Sequence, residues 1–321
     1  MPESILVTGG CGFIGSHLVD RLLSTGHDVT VIDNFNDFYD PAIKRENCRA
    51  HGDFGSYRLI EGDLRDMGTV ETAFSGSGFD EVIHLAAMAG VRPSIKNPVL
   101  YQQVNLSGTM NLLEACRRHS VKKFIFASSS SVYGNNPKVP FSEADPVDRP
   151  ISPYASTKKA GELMVYTYHH LFSISAACLR FFTVYGPRQR PEMAIHLFTD
   201  SIYNGREIHQ FGDGGTQRDY TFIDDIIDGI IACRQTDFEY EIINLGRSDT
   251  VMLRELIAKI ESRLDKTAMI KIMPAQAGDV ERTFADISKA KNLLGYSPRV
   301  SIDQGLDRFI NWYLTQRRNK V

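Results

Sequence analysis

The sequence predicts an α/β fold, a doubly wound parallel sheet followed by a smaller C-terminal α/β domain. Three observations predict it. Short apolar runs at 5–7, 29–32, 57–60, 81–85, 123–127 and 175–182 alternate with helix-like stretches. A glycine-rich turn follows the first run, and an aspartate ends the second. From Thr183 onward the pattern breaks into shorter elements separated by Gly-Pro-Arg-Gln-Arg-Pro and Phe-Gly-Asp-Gly-Gly. The expected domains are therefore 1–182, with 220–246 returning to it as a helix and a strand, and an interrupted 183–321.

Ile5, Leu6 and Val7 suit a buried first strand, and Gly9, Gly12 and Gly15 follow at three-residue spacing before a helical pattern over 17–23. Glycines permit positive φ, let backbone approach a ligand and let helix and strand pack closely. Phe13 and Ile14, within this turn, are counted with the cofactor set, and the free N–H groups of the helix start would face a pyrophosphate. Such a turn alone is also an ordinary tight turn. The second strand decides, because 29–32 runs into Asp33, eighteen residues after Gly15. A carboxylate there accepts both ribose hydroxyls and repels a 2′-phosphate, so the implied dinucleotide is NAD rather than NADP, and the sheet a Rossmann sheet.

Residues 34–55 are polar and aromatic-rich and are expected to form a long loop with a short helix. The third strand ends at Gly62-Asp63-Leu64 and the fourth at Leu85-Ala86-Ala87, and both ends are expected to face the cofactor. Asp63 is placed either to accept from the adenine amino group or to cap the next helix. Small Ala86 and Ala87 let backbone lie close to ribose and phosphates. A helical pattern over 99–119 carries Asn105, and the fifth strand runs into Ser128-Ser129-Ser130-Ser131. A helix over 153–171 and the sixth strand follow.

Tyr154 and Lys158 are four residues apart, just after Ser152-Pro153, a capping and helix-starting pair. They share one helical face. Free tyrosine titrates near ~10, but an ammonium, the cationic nicotinamide ring and a helix N-terminus all favour phenolate. Tyr154 then serves as a general base. A lone Tyr-x-x-x-Lys is also a common exposed helix face. The serine cluster ending the preceding strand and the upstream dinucleotide turn raise its weight.

Composition narrows the classes. The chain has 321 residues, enough for two domains, and a net charge of −3 with both signs interspersed. That leaves no electrostatic footprint for nucleic acid or an anionic membrane. Five cysteines at 11, 48, 116, 178 and 233 show no Cys-x-x-Cys or metal-ligand spacing and read as reduced cytosolic thiols. No leader pattern and no apolar run of ~18 residues is found, so a cytoplasmic protein is expected. The nine histidines form no metal pattern, and His169-His170 reads as a partly exposed pair.

Thr8-Gly9-x-x-Gly12-x-x-Gly15, His84-Leu85-Ala86-Ala87, Ser128 to Gly134 before Tyr154-x-x-x-Lys158, and Phe211-Gly-Asp-Gly with Arg218-Asp219 resemble the extended short-chain dehydrogenase/reductases acting on nucleotide sugars. The likeness covers nearly the whole chain. Within that superfamily, Asp33 to Asp40, Ala89-Gly-Val-Arg92 and Arg180 to Pro191 are most similar to UDP-glucuronate 4-epimerases. The resemblance implies Ser129, Tyr154 and Lys158 as the catalytic three. It adds Asn34, Leu64, Leu85, Asn105, Ser128 and Phe181 to the cofactor set.

It also implies reversible oxidation at C4: Tyr154 takes the hydroxyl proton, hydride passes to bound NAD, the 4-keto sugar turns, and hydride returns to its other face. NAD is recycled. Related dehydratases carry Asp-Glu immediately after the catalytic hydroxyl and decarboxylases carry Glu at the second position, whereas this chain has Ser130-Ser131. Galactose-type epimerases usually have Asn where Thr183 stands. For the substrate, the resemblance points to Arg92, Ser129, Ser130, Tyr154, Thr183, Arg190, Met193 and Ala194. Arg190, Thr183 and Ser130 are expected at a uronate carboxylate, Arg218 at the diphosphate and Asp279 at the uridine ribose. Arg190 equally suits a diphosphate oxygen or the surface, and surface salt bridges are the plain alternative for Arg218 and Asp279. The helices near 99–119 and 153–171 are expected to pair with a second subunit or else to be buried within one chain. A UDP-hexose 4-epimerase, a UDP-glucuronate decarboxylase and an idle NAD-binding regulator are the rival readings. Intact Ser129, Tyr154 and Lys158 disfavour the regulator.

Overall fold

The computed structural model describes residues 2–76, 78–274 and 280–318. It divides into two compact units, one of residues 1–135, 143–181 and 230–243, the other of 136–142, 182–229 and 244–321. Compared with the expected division, 136–142 fall in the second unit, where Phe141 N–H donates to Phe284 C=O and Asn244 Nδ2 to Phe141 C=O. The returning stretch begins at 230, inside helix Ile223–Gln235, rather than at 220. Tyr220–Phe222 opens as a strand, parallel to Thr183–Tyr185, where the sequence suggested helix.

The first unit is organised on a seven-stranded sheet. Its first six strands are β1 (Ser4–Thr8), β2 (Asp28–Asp33), β3 (Tyr57–Glu61), β4 (Glu81–His84), β5 (Lys123–Ser129) and β6 (Ser175–Phe181). The spatial order is Tyr240–Leu245, β6, β5, β4, β1, β2, β3. Every ladder among β1–β6 is parallel. Ile5, Leu6 and Val7 are fully buried, as a strand covered on both faces requires. The order reverses between β1 and β4, which is where ligands meet the carboxyl ends of such sheets.

Helices α1 (Phe13–Ser24), α2 (Pro41–Cys48), α3 (Met67–Phe74), α4 (Val91–Lys96), α5 (Pro98–Gln102), α6 (Gly108–Arg118) and α7 (Pro153–Phe172) belong to this unit, with the end of helix Ile223–Gln235. The single helix expected over 99–119 is interrupted: Gln103–Ser107 form a π turn between α5 and α6. Asp66, not Asp63, caps α3, its carboxylate accepting from Gly68 and Thr69 N–H. All five cysteines are buried and unpaired.

Among its described residues, the second unit contains three two-stranded sheets. Thr183–Tyr185 runs parallel to Tyr220–Phe222, and Glu207–Phe211 parallel to Met269–Met273. Gln217–Arg218 runs antiparallel to Val251–Met252. Asp219 joins the first and third of these and is a local hub. Its fully buried carboxylate accepts from Thr221 Oγ1 and from the N–H groups of Arg247, Ser248 and Ala285. No helix among the described residues is long and apolar enough to cross a membrane.

A buried hydrogen-bond chain ties β1 to β4 and to the π turn. Ala86 N–H donates to Thr8 Oγ1, which lies 2.6 Å from His84 Nδ1, and His84 Nε2 lies 2.8 Å from Thr109 Oγ1. Thr109 spends its own proton on Asn105 C=O, so it must accept from His84 Nε2–H. His84 is therefore the neutral Nε2–H tautomer, accepting from Thr8 at Nδ1. Burial, helped by the Lys158 charge, pushes its pKa down to about 3.

A histidine with a lowered folded pKa stays neutral while the unfolded chain binds a proton. Stability is therefore lost as pH falls from about 6.5 toward 3, by up to about 1.4 kcal/mol per pH unit. His84→Gln keeps one donor and one acceptor but cannot titrate. Urea unfolding at pH 7 and pH 5 is expected to show wild type losing about 2 kcal/mol more than the variant over that interval. Equal losses would mean that His84 is not held neutral.

Candidate active site

The turn after β1 is shaped by close approach. Gly9 has φ +71°, and a Cβ there would meet the Ala86 backbone at 2.9 Å. A Cβ on Gly15 would lie 2.1 Å from Gly9 C=O, so the start of α1 packs directly on the turn. At Gly12 the nearest protein atom to such a Cβ is Gly9 O at 3.3 Å. Gly12 has extended backbone and precedes α1, whose first N–H groups, at Phe13, Ile14 and Gly15, have no intrahelical acceptor. An anionic pyrophosphate suits that end.

Asp33 ends β2 buried at the edge of this turn. Cys11 N–H donates to its Oδ2 and Phe35 N–H to its Oδ1, which fix the carboxylate's orientation. Burial pushes its pKa up, opposed by those two donors and by Lys44. Asn34 Nδ2 donates to Asp63 Oδ2, while Arg65 donates to both Asp63 oxygens through Nε, Nη2 and N–H. Four donors fill the acceptor positions of this carboxylate. They hold its pKa down to about 2, Arg65 above all. An adenine amino group would bond here only by displacing one of them. Leu64 is buried beside it, and Leu85, Ala86 and Ala87 are partly buried after β4. These residues fit an NAD: a tight glycine turn, free helix N–H groups and an oriented carboxylate.

Asn105 sits in the π turn with its amide fully used. Its Oδ1 accepts from Met88 N–H, and its Nδ2 donates to Met88 C=O and Thr157 Oγ1. In this structure it joins the segment after β4 to α7 rather than presenting a free amide to a cofactor. Ser128 Oγ donates to buried Glu162, and Phe181 closes β6 as a buried ring.

Ser129 ends β5, and Tyr154 and Lys158 lie on the face of α7 that packs against that strand end. Ser152 caps α7 by accepting from Ala155 N–H, and Pro153 fixes the first turn. Tyr154 N–H, free of intrahelical partners at this end, donates to Ser94 Oγ from α4. The Tyr101 ring stands edge-on to the Tyr154 ring at 6.3 Å. Lys158 is buried, donates to Ala127 C=O at 2.7 Å, and places Nζ 5.9 Å from the Tyr154 ring centre. Burial pulls its pKa down to about 8. An ammonium this short of water favours a nearby phenolate. Ser129 Oγ accepts from Ser131 N–H and lies 3.1 Å from Ser131 Oγ, with Ser130 half-buried between them.

The remaining expected residues lie as follows. Arg92 is exposed in the first turn of α4. In the second unit, Thr183 begins its strand with N–H donating to Asp219 C=O. Arg190 pairs with Glu192 at 3.2 Å. Met193 precedes helix Ala194–Tyr203, which leaves Ala194 N–H at a helix start. Arg218 donates to the carbonyls of Gln217 and Glu281, next to the Asp219 hub. Asp279 lies outside the described residues. The sequence reading missed Ser94, Tyr133, Glu162 and Arg180; only Glu162, four residues beyond Lys158, carried a spacing signal. Among the described residues no group of His, Cys, Asp and Glu could hold a metal ion.

The sequence matches the GDP-mannose 4,6 dehydratase family over residues 6–309. It is 43% identical to a UDP-glucuronate 4-epimerase of Thermodesulfobacterium geofontis, covering 96% of this chain and 95% of that one. A solved UDP-glucuronic acid 4-epimerase from Bacillus cereus, in complex with UDP-glucuronic acid and NAD, is 37% identical with a TM-score of 0.92, over 98% of this chain and 99% of that one. A UDP-glucose 4-epimerase from Thermotoga maritima, solved with UDP-glucose, is 33% identical with a TM-score of 0.91, again over 98% and 99%.

Proposed function

The chain belongs to the GDP-mannose 4,6 dehydratase family of extended short-chain dehydrogenase/reductases, and from that membership we propose that it interconverts UDP-glucuronate and UDP-galacturonate at C4 with bound NAD. One observation carries the reading. Ser129, Tyr154 and Lys158 stand ready for C4 oxidation, while Ser130 and Ser131 occupy the positions where dehydration would need an acid and a base. Thr183 and the likeness to two UDP-glucuronate epimerases favour a uronate over a neutral hexose.

Residues 12–15 and Asp33 hold the cofactor by its pyrophosphate and ribose. Bound NAD would supply a reversible hydride acceptor for C4. Tyr154 takes the 4-hydroxyl proton, and the Lys158 ammonium lowers the cost of its phenolate. Ser129 donates to the same oxygen and steadies it as it becomes a carbonyl. Arg190, Thr183 and Ser130 receive the carboxylate, Arg190 exchanging Glu192 for it. Arg218, Arg92 and the Met193–Ala194 helix start serve the rest of the nucleotide sugar.

The oxidised intermediate is a β-keto acid, which loses CO2 when its C5–carboxylate bond aligns with the ketone π system. Holding the carboxylate near the ketone plane suppresses that loss, so the grip restrains as well as recognises. A homodimer through α5, α6 and α7 belongs to the same proposal. Val99, Met110, Leu163, Tyr166 and Leu171 stay exposed on those helices, an apolar set that a second copy would cover.

Incubation with UDP-glucuronate is expected to yield UDP-galacturonate with almost no CO2. Tyr154→Phe is expected to fold and keep NAD while losing turnover by more than about 1,000-fold. Activity within about threefold of wild type, under ~0.7 kcal/mol of barrier, would remove Tyr154 as the base. Arg190→Ala is expected to weaken uronate binding by roughly tenfold or more, the loss of a charge-assisted pair, and to raise the share of decarboxylated pentose product seen by chromatography. An unchanged affinity and product ratio counts against its role, and faster wild-type turnover of UDP-glucose would move the function to a hexose epimerase. For the dimer, sedimentation of Tyr166→Glu should show monomer at concentrations where wild type sediments as two chains; matching profiles would place the contact elsewhere.

A further inference from the structure

Arg180 and Glu162 are each about 1% exposed, and neither side chain has a part in the chemistry above. Their contact is bidentate: Arg180 Nε donates to Glu162 Oε1 at 2.8 Å and Nη2 to Oε2 at 2.9 Å. A buried pair of this kind adds little stability over apolar residues of the same volume, because desolvation consumes most of its attraction. What it provides that apolar residues do not is fixed relative orientation of the elements that carry it.

Those elements are the ones that carry the reacting groups. Glu162 follows Lys158 by one turn of α7 and Tyr154 by two, on the same face. Ser128, next to Ser129, donates its hydroxyl to Glu162 Oε1 at 2.7 Å. Arg180 Nη1 donates to Tyr133 Oη at 3.0 Å. Tyr133 closes the short turn Ser130–Tyr133 that Ser129 caps. Three successive β5 residues thus seat α7: a Cβ on Gly161 would meet the Phe126 ring at 2.5 Å, Lys158 bonds Ala127, and Glu162 bonds Ser128.

We propose that the Glu162–Arg180 pair positions the reaction, setting the separation between Ser129 Oγ and Tyr154 Oη so that both reach one substrate oxygen. Both groups must grip that oxygen as it changes from hydroxyl to carbonyl. A misplacement of about 1 Å at such a site costs on the order of 100-fold in rate. The Ser128 and Tyr133 bonds brace the strand end on one side, and the pair itself holds the helix on the other. Glu162 and Arg180 are positioning residues, and the proposal rests on the C4-oxidation reading.

The test replaces both charges together, Glu162→Leu with Arg180→Met, so that neither is left buried alone; Lys159, which also pairs with Glu162 Oε2 at 3.4 Å, is partly exposed and turns to solvent. The expected holoenzyme folds and keeps its NAD, its melting temperature lowered by the buried Ser128 and Tyr133 hydroxyls left without these partners. Its kcat falls at least tenfold with KM for UDP-glucuronate within about threefold, and its crystal structure shows a changed Ser129 Oγ–Tyr154 Oη separation. An unchanged separation overturns the proposal whatever the rate does, and so does an unchanged kcat. Wild type that fails on UDP-glucuronate defeats the functional reading alone, since the separation still decides this one. If the double variant does not fold, Tyr133→Phe decides. It keeps the ring against the guanidinium and removes one hydrogen bond, and a kcat drop of threefold or more at constant melting temperature is expected, with no drop overturning the proposal.

Discussion

The approach of the turn after β1 to the end of β4 is the constraint on which the first unit depends. Gly9 leaves no room for a side chain against Ala86, so two backbones meet where the strand order reverses. A larger residue there would push β1 and β4 apart and open the turn before α1. The His84 chain lies directly beneath this contact. It links Thr8 of β1, β4 and the π turn through a single neutral tautomer. The glycine turn and Asn105 are therefore set by one buried polar network, and through Thr157 that network reaches the helix of Tyr154.

Much of this was legible because the decisive signals are local. Gly9, Gly12 and Gly15, then Asp33, then Tyr154 and Lys158, act through spacings of a few residues or through strand ends that an apolar run announces. The π turn was not legible. Residues 101, 105, 109 and 112–113 are buried, a spacing that an uninterrupted helix would also give. The extra residue leaves no mark on the pattern. Strand Tyr220–Phe222 was hidden because its partner, Thr183–Tyr185, is far away in the chain. The buried pairs were hidden for the same reason, as Glu162 and Arg180 are 18 residues apart and Thr8 and His84 are 76 apart. Asp66 took the cap expected of Asp63 because Arg65 and Asn34 already occupy that carboxylate.

Burial treats the charges of the site in different ways, and the differences follow from partners. Asp63 gathers four donors and titrates low, at about 2. Asp33, with two backbone donors and deeper burial, is pushed up. Lys158 has a carbonyl and no carboxylate, so desolvation brings it to about 8. A lysine near that value can still be charged at neutral pH while holding its proton loosely. Such a neighbour favours a phenolate without locking it in an ion pair, which suits the proposed role of Tyr154 as a group that takes a proton and returns it.

The same scaffold serves several reactions within its family, so what selects among them must be few in number and close to the oxidised carbon. Oxidation at C4 acidifies C5 and activates a C6 carboxylate toward loss, and both outcomes need groups that the scaffold itself does not supply. Elimination requires an acid and a base beside the ring. Decarboxylation requires freedom for one bond to align with the new ketone. In this chain the turn after Ser129 offers only hydroxyls, and Ser129 and Ser131 lie within 3.1 Å of each other, so the turn presents donors and weak acceptors but no group that ionises near neutral pH. On the proposed reading, a turn unable to move a second proton leaves the keto sugar one exit: reduction from one face or the other.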